Sequence, residues 1–250
     1  MKPTGVLYPS EARLLIAPMH VPGFIQTRRN DIDADMASWD DLAHSLEDRY
    51  SLKLGSLRDA YLNEQVHYAF RQAWQGRVPE SALAGEPVVL LEIDMLSVTI
   101  DQLFGWTRTV HLTSTSPQRH VDGLCGWFDV RFCGRRAPDS TDSVVMAESM
   151  SATRLGQCVE LSTAPYDAST HWGQTALLLE QPLEKPTISV TLTQSHRSHH
   201  DLNFTVSSAT GTTSFSISAE FRGFEELEPT EELEGDSASH ESNAEGEGMP

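Results

Sequence analysis

The chain has 250 residues, of which 39% carry apolar side chains, enough to bury a substantial core in one domain. Its formal net charge of -18 argues against direct binding to nucleic acids, because phosphate recognition needs clustered Lys and Arg side chains. No apolar run approaches the roughly 20 residues that cross a bilayer, and residues 1–10 lack the apolar segment of a signal peptide. We therefore expect an intracellular protein that makes no contact with a membrane.

Three cysteines are present, and their spacing contains no pair of the kind that binds zinc or performs redox chemistry. They are Cys125, Cys133 and Cys158. Because their number is odd and the expected compartment is reducing, we predict that all three are reduced thiols.

The first elements alternate between strand and helix patterns. An apolar run bounded by two prolines predicts a strand over Val6 to Ala17. Ser38 resembles the start of a capped helix, and the apolar residues that follow it repeat at helical spacing as far as Tyr50. A second helical pattern runs from Leu62 to about Gly76.

From Val88 onward the apolar period changes to strict alternation, which is typical of antiparallel strands. In one such segment Leu124, Phe128, Val130 and Phe132 share a face. A second segment alternates Ile188, Val190 and Leu192 with polar residues, and a third alternates Phe215, Ile217, Ala219 and Phe221 with polar residues. We predict a mainly β fold, an antiparallel sandwich or barrel, with a helical excursion near its start.

Two segments stand apart from this pattern. Residues 135–158 are polar and carry clustered turn residues, which predicts a mobile insertion between strands. Residues 224–250 contain many Glu residues and no Lys or Arg, so they cannot bury enough apolar surface to offset the entropy of ordering. We predict a folded domain over residues 1–223 followed by a disordered acidic tail.

The residues alone indicate no cofactor or metal site. A nucleotide-type cofactor on a doubly wound sheet needs a strand, a Gly-rich turn and a helix in succession, and the sequence contains no such unit. His196, His199 and His200 lie close together in a predicted hairpin, but they do not complete a set of metal ligands. We therefore predict no metal.

The segment from Leu161 to Gln174 is similar to one loop of the protein arginine methyltransferases. It carries a Leu-Ser-Thr-x-Pro lead-in, then Thr170-His171-Trp172, then Gln174 and a downstream Leu-Glu-Gln-Pro-Leu run. Further segments resemble the same family in the same order, among them Gly5 to Pro9, Gly123 to Val130 and Asp201 to Val206. The resemblance spans roughly residues 2–223. It departs from the family at Gly173, where a lysine is common.

The resemblance implies the C-terminal, substrate-side β-barrel half of such an enzyme. In the family the loop histidine joins an acidic residue beside the target guanidinium, and the tryptophan shapes that pocket. These roles fall on His171 as a catalytic residue and on Thr170 and Trp172 as substrate-binding residues. The family transfers a methyl group from S-adenosylmethionine to a guanidinium nitrogen. Its cofactor-binding half and paired glutamates match no segment of this chain, so we expect no cofactor-binding residues, no S-adenosylmethionine binding and no activity by this chain alone.

The helical excursion over residues 22–54 corresponds to the family's dimerisation arm. Trp39, Leu42 and Leu46 are candidate contacts with a second subunit, and the alternative is that they pack against this same domain. The expected partners are methyltransferase subunits, in a homo- or heterodimer, and arginine- and glycine-rich proteins, in the cytoplasm or the nucleus. The alternative function is a non-catalytic scaffold or regulatory partner that dimerises with an intact arginine methyltransferase.

Overall fold

The computed structural model describes residues 6–103, 106–115, 120–133, 158–183, 187–194, 202–208, 211–217 and 222–226. Strands dominate this part of the chain, which confirms the predicted mainly β fold. Eleven strands run in the order β1 Glu11–Met19, β2 Ala73–Arg77, β3 Val88–Asp94, β4 Thr107–Thr113, β5 Val121–Phe132, β6 Val159–Ser162, β7 Gln174–Leu183, β8 Thr187–Gln194, β9 Leu202–Ser208, β10 Gly211–Ile217 and β11 Arg222–Glu226.

The strands form two sheets. The larger sheet has the order β11-β2-β7-β5-β1-β3, and β6 pairs with β5 beside this path. The smaller sheet has the order β10-β9-β8-β4. Every strand pairing in the described residues is antiparallel except that of β11 with β2.

Three α-helices accompany the sheets in the described part of the chain: α1 Pro22–Tyr50, α2 Arg58–Phe70 and the short α3 Ile100–Leu103. The first two lie between β1 and β2 in the chain and pack together, and α2 also contacts β7. The helical excursion predicted near the start of the chain is therefore present.

The alternation of strand side chains divides the core in two. Leu15 and Ala17 of β1 face α1 and α2, where they pack with Ile25 and Phe70. Ile16, between them in sequence, faces the smaller sheet. The predicted inward residues Ile188, Val190 and Leu192 are all buried in this second cluster, so their assignment is confirmed. The larger sheet is thus the middle layer between two helices and a second sheet.

The predicted start of the arm helix at Ser38 is wrong. Helix α1 begins at Pro22, a residue whose fixed φ suits the first turn, and Ser38 lies in its interior. The main-chain N–H of Val21 donates to Asp122 Oδ2 at 2.7 Å, so a carboxylate from β5 fixes the start of the helix. The sequence around Val21 does not reveal this remote cap.

The predicted end of the second helix is also wrong. Helix α2 ends at Phe70, and Ala73 already belongs to β2, where it pairs with Leu177 of β7. Apolar residues at this spacing fit either element, and pairing with β7 decides between them. Likewise β1 begins at Glu11 and continues through Pro18 to Met19, because β5 pairs with it along that whole length.

The prediction of three reduced thiols is wrong for two of them. Cys133 and Cys158 form a disulfide, whereas Cys125 is free and buried. The antiparallel pairing of β6 with the end of β5 brings these two cysteines together, which their sequence separation of 25 does not show. Residues 134–157, most of the predicted insertion, lie outside the described residues, as do His196, His199 and His200.

The predicted beginning of the acidic tail is three residues too early. Strand β11 pairs with β2 and runs to Glu226, so Phe224, Glu225 and Glu226 belong to the larger sheet. Local composition marks them as tail, but a sheet edge can hold polar residues when their main-chain groups are paired. Residues 227–250 lie outside the described residues.

Candidate functional site

The loop from Thr163 to Gly173 connects β6 to β7, and its first residue is fixed to β5. The Thr163 N–H and hydroxyl both donate to the Phe128 carbonyl oxygen, at 3.1 and 2.9 Å. The Phe128 N–H donates to the Thr163 hydroxyl oxygen at 3.1 Å. These three bonds hold a buried threonine where β6 ends, so the loop leaves the sheet from a fixed point.

The side chain of Gln174 fixes the other end of the loop. This buried amide donates from Nε2 to the Thr163 carbonyl oxygen at 2.7 Å. Its Oε1 accepts the N–H of Val78 at 2.8 Å. One side chain therefore connects the start of the loop, its end and the segment that follows β2, which explains why a glutamine stands at the first residue of β7.

Gly173 turns the loop into β7 with a left-handed backbone, φ +58°. A Cβ atom at this position would lie 2.5 Å from the Gly76 carbonyl oxygen, so no larger residue fits without displacing β2. The Gly173 N–H closes the turn by donating to the Thr170 carbonyl oxygen at 3.3 Å. The glycine that replaces the family's common lysine is thus required by this local geometry.

Thr170, His171 and Trp172 occupy the turn that these contacts support. The His171 ring is exposed and lies against the Trp172 ring, with 3.8 Å between centroids. Trp172 packs edge-to-face on Phe128 at 5.7 Å, and its carbonyl oxygen accepts the Gln75 Nε2–H at 2.7 Å. Its side chain nevertheless remains 41% exposed, so part of the indole is open to a ligand.

The hydroxyl of Thr170 is buried and has no hydrogen-bond partner among the described residues. The three residues predicted from the motif therefore lie side by side, at one end of the larger sheet. Gln75 also belongs to this arrangement, but sequence reasoning missed it. It lies 97 residues from Trp172, and no local pattern marks it.

An acidic and aromatic surface adjoins the loop. Burial raises the pKa of the Asp129 carboxyl; a hydrogen bond from Ser162 opposes this shift, and the neighbouring carboxylates of Glu160 and Asp167 add to it. Burial together with the same carboxylates raises the pKa of Tyr166, whose ring packs edge-to-face on Trp127 at 6.1 Å. This surface favours a cationic ligand over an anionic one.

The predicted dimerisation residues lie on α1 in different environments. Trp39 stacks on Tyr61 of α2, with 4.5 Å between ring centroids and 20° between planes. Leu46 is half-buried, whereas Leu42 is 50% exposed. Trp39 therefore contributes to packing within this chain, and Leu42 is the most available of the three for a second subunit.

Within the described ranges, no group of three or more His, Cys, Asp or Glu side chains could hold a metal ion. No helix in the same part of the chain is long and apolar enough to span a membrane.

Residues 17–211 match a family described as the arginine methyltransferase oligomerization subdomain. This match covers well over half of the chain. The chain belongs to the protein arginine methyltransferase family. The fold agrees, since the matched part corresponds to the C-terminal β-barrel half of these enzymes.

Individual relatives agree with this assignment. Protein arginine N-methyltransferase PRMT10 of Oryza sativa subsp. japonica is 30% identical over 213 residues, which is 82% of this chain and 52% of the relative. PRMT10 of Arabidopsis thaliana is 29% identical over 184 residues, covering 73% of this chain and 44% of the relative. The chain therefore spans about half the length of the relatives that it matches.

Solved structures show the same architecture. One is the crystal structure of Arabidopsis thaliana protein arginine methyltransferase 10, described as a uniquely open conformation. It superposes with a TM-score of 0.68 at 26% identity, and the match covers 87% of this chain and 62% of that chain. A Trypanosoma brucei PRMT1 enzyme-prozyme heterotetrameric complex gives a TM-score of 0.54 at 17% identity, covering 84% of this chain and 57% of the other, and shares the fold.

Proposed function

We propose that this chain forms the substrate-side part of a protein arginine methyltransferase, with the loop of Thr170, His171 and Trp172 as one wall of the guanidinium pocket. The observation that carries the proposal is the exposed His171 ring against a half-exposed Trp172, on a loop fixed at both ends within a family of arginine methyltransferases. The acidic surface around Asp129 and the net charge of -18 support arginine- and glycine-rich substrates. We place this activity in the cytoplasm or the nucleus.

The loop can contribute two kinds of contact to a planar, permanently charged guanidinium. The indole face of Trp172 offers a cation–π contact, and His171 offers an imidazole nitrogen. The Thr170 hydroxyl is buried, so Thr170 contributes to the pocket through the turn that carries these two rings. The contacts of Trp172 with Phe128 and Gln75 limit its movement, so the wall is ordered before a substrate arrives. Carboxylates that pair with the guanidinium come, in this proposal, from another domain.

We infer that S-adenosylmethionine is not held by the described part of this chain. Its sheets are antiparallel apart from one pair, and none of their strands leads through a Gly-rich turn into a helix whose amides approach a cofactor. We propose that the cofactor, which supplies the methyl group, is held by a separate domain that docks against the loop. This chain's residues then orient the arginine and exclude water beside it.

The test is a reconstituted enzyme made from this chain and a cofactor-binding domain of the same family. His171→Ala should lower kcat/KM for an arginine peptide by about 10- to 100-fold, because it removes one positioned group from the site. His111→Ala is the matched control, since His111 is an exposed histidine on β4 of the smaller sheet. Equal effects of the two substitutions, or none from His171→Ala, would refute the role of the loop.

The second candidate is a non-catalytic partner that dimerises with an intact methyltransferase. The exposed Leu42 on α1 supports it, because an exposed apolar side chain on a helix is available for contact with a second subunit. A methyl-transfer assay on an intact methyltransferase, with and without this chain, separates the two candidates. A scaffold would change the activity of the intact enzyme to the same extent whether or not this chain carries the His171→Ala substitution.

A further inference from the structure

A cavity of about 210 Å³ lies between the two sheets and is lined in part by the loop of Thr170, His171 and Trp172, through Trp172. Strands β1, β5 and β7 form its wall on the larger sheet, and Leu202 and Phe204 of β9 close it on the smaller sheet. Trp172 and Gly173 also belong to its lining. No lining residue carries a charge, and the surface of the cavity is predominantly apolar.

The sequence of β5 creates this space. Alternation places Gly126 on the same face as Leu124, which is buried between the sheets, and Phe128, which packs on Trp172. Glycine leaves open the volume that a strand side chain would fill, and its register partner on β7 is the small Thr175. A Cβ atom at Gly126 would have its nearest neighbour, the Leu15 carbonyl oxygen, at 3.7 Å, an ordinary contact. Backbone crowding therefore does not account for the glycine.

The chemistry of the lining selects the ligand. Protein interiors are close-packed, and an apolar cavity of roughly 150 Å³ remains dry and binds benzene. A larger cavity lined by Leu14, Ile16 and Leu177 offers dispersion contacts to a ring-sized group but no partner for a charge. Arginine and S-adenosylmethionine are charged, so this space differs in kind from the proposed guanidinium pocket.

We propose that the cavity is a binding site for one compact, uncharged, predominantly apolar small molecule, of the size of an indole or benzene ring. Such a ligand contacts the indole of Trp172, which belongs to the lining. Since the His171 ring also lies against that indole, the occupied cavity restrains the loop. The site is thus a second ligand position beside the loop.

The test uses the full 250-residue chain and indole as the probe, followed by calorimetry and by NMR chemical-shift changes. We expect saturable one-to-one binding, with shifts concentrated on the residues that line the cavity. Gly126→Leu should weaken binding by at least about tenfold, because the new side chain occupies the same volume. Gly55→Leu is the control, since nothing lies within 4 Å of a Cβ atom there and Gly55 is not part of the lining. It should leave the affinity unchanged.

Thr175→Leu fills the cavity from β7 and provides an independent obstruction if Gly126→Leu does not fold. Absence of saturable indole binding to the unsubstituted chain would overturn the proposal. So would unchanged affinity in a folded Gly126→Leu or Thr175→Leu variant. If neither variant folds, a crystal structure of the indole complex decides: ring density between the two sheets supports the proposal, and density elsewhere overturns it. The measurement needs no methyl transfer, so its outcome is independent of the proposed enzymatic role.

Discussion

Gly173 adopts a left-handed backbone at the point where the loop that begins at Thr163 enters β7. Gly173→Ala should lower the free energy of unfolding by about 1–3 kcal/mol, because a Cβ atom is strained at this φ and collides with the Gly76 carbonyl oxygen. Urea denaturation measures the change. Gly55→Ala is the matched control, with open space around its Cβ position. If both alanines alter stability equally, the loop does not depend on the conformation of Gly173.

Asp122 is a buried carboxylate at the base of the arm. Its Oδ2 accepts the Val21 N–H at 2.7 Å and lies 2.9 Å from His20 Nδ1. His20 Nδ1 also lies 2.9 Å from the His120 carbonyl oxygen, so this nitrogen carries a proton that it donates to both oxygens. These bonds connect β5 to the first turn of α1, and through it to the orientation of the arm.

The titration of Asp122 makes the stability of this region depend on pH. Burial raises the pKa of its carboxyl above the ordinary value of 3.8, although the bond from Val21 and the charges of His20 and His120 oppose the shift. The folded state then binds the proton more tightly than the unfolded chain, so the stability contributed by this group is fully present below pH 3.8 and is lost as the pH rises through the folded pKa.

Asp122→Asn removes this titration. We compare the free energies of unfolding of the two proteins at each pH. The advantage of the unsubstituted chain over the variant should fall as the pH rises from 3.8 through the folded pKa. Urea denaturation of both proteins at closely spaced pH values gives the difference. A difference that increases with pH over this window would show that the folded pKa is lowered, and that pairing with the histidines outweighs burial.

Helix α1 is the element through which we expect assembly to occur, and its apolar residues divide between two roles. Trp39→Ala should lower the free energy of unfolding by about 1–2 kcal/mol, since it removes the stacking contact with Tyr61. Leu42→Asn, at an exposed position, should change stability by less than about 0.5 kcal/mol.

The same two variants test the interface. Leu42→Asn should weaken association with an arginine methyltransferase subunit by about tenfold or more, as measured by sedimentation or calorimetry, if Leu42 lies in the contact. A loss of stability in Leu42→Asn as large as that in Trp39→Ala would mean that Leu42 belongs to the chain's own core. Unchanged association would exclude this face of the arm.

The elements that sequence predicts well are those whose pattern is local. Alternation at Ile188, Val190 and Leu192 predicts a strand with one buried face, and the structure confirms it. Where an element is decided by a distant partner, local pattern fails. Ala73 fits a helix by spacing, yet pairing with Leu177 makes it strand, and the pairing of β11 with β2 extends the sheet into residues that composition assigns to a tail.

In the candidate site, too, the local part can be predicted from the sequence and the part that depends on distant residues cannot. The motif places Thr170, His171 and Trp172 in one loop, and a loop of consecutive residues is brought together by the chain itself. The groups that order this loop come from elsewhere: Gln75 from β2, Phe128 from β5 and the Val78 N–H after β2. Their sequence separation from the loop leaves no periodic signal, as is also true of the disulfide between Cys133 and Cys158.

At the scale of the whole molecule, 36 acidic residues against 18 basic ones favour cationic partners. The larger sheet buries one face under two helices and the other against the smaller sheet, so the loop is carried by a three-layer body. Such a body can present one wall of a pocket. The opposite wall, with the cofactor and the paired carboxylates, belongs in our proposal to a second domain.

The most direct measurement is the transfer of labelled methyl groups from S-adenosylmethionine to an arginine peptide, by this chain alone and by this chain combined with a cofactor-binding domain of the family. Calorimetry with S-adenosylmethionine accompanies it. We expect no tight cofactor binding and no turnover by the chain alone, and turnover when the two domains dock. Cofactor binding by the chain alone at about micromolar Kd, roughly -8 kcal/mol, together with sustained turnover, would contradict the account.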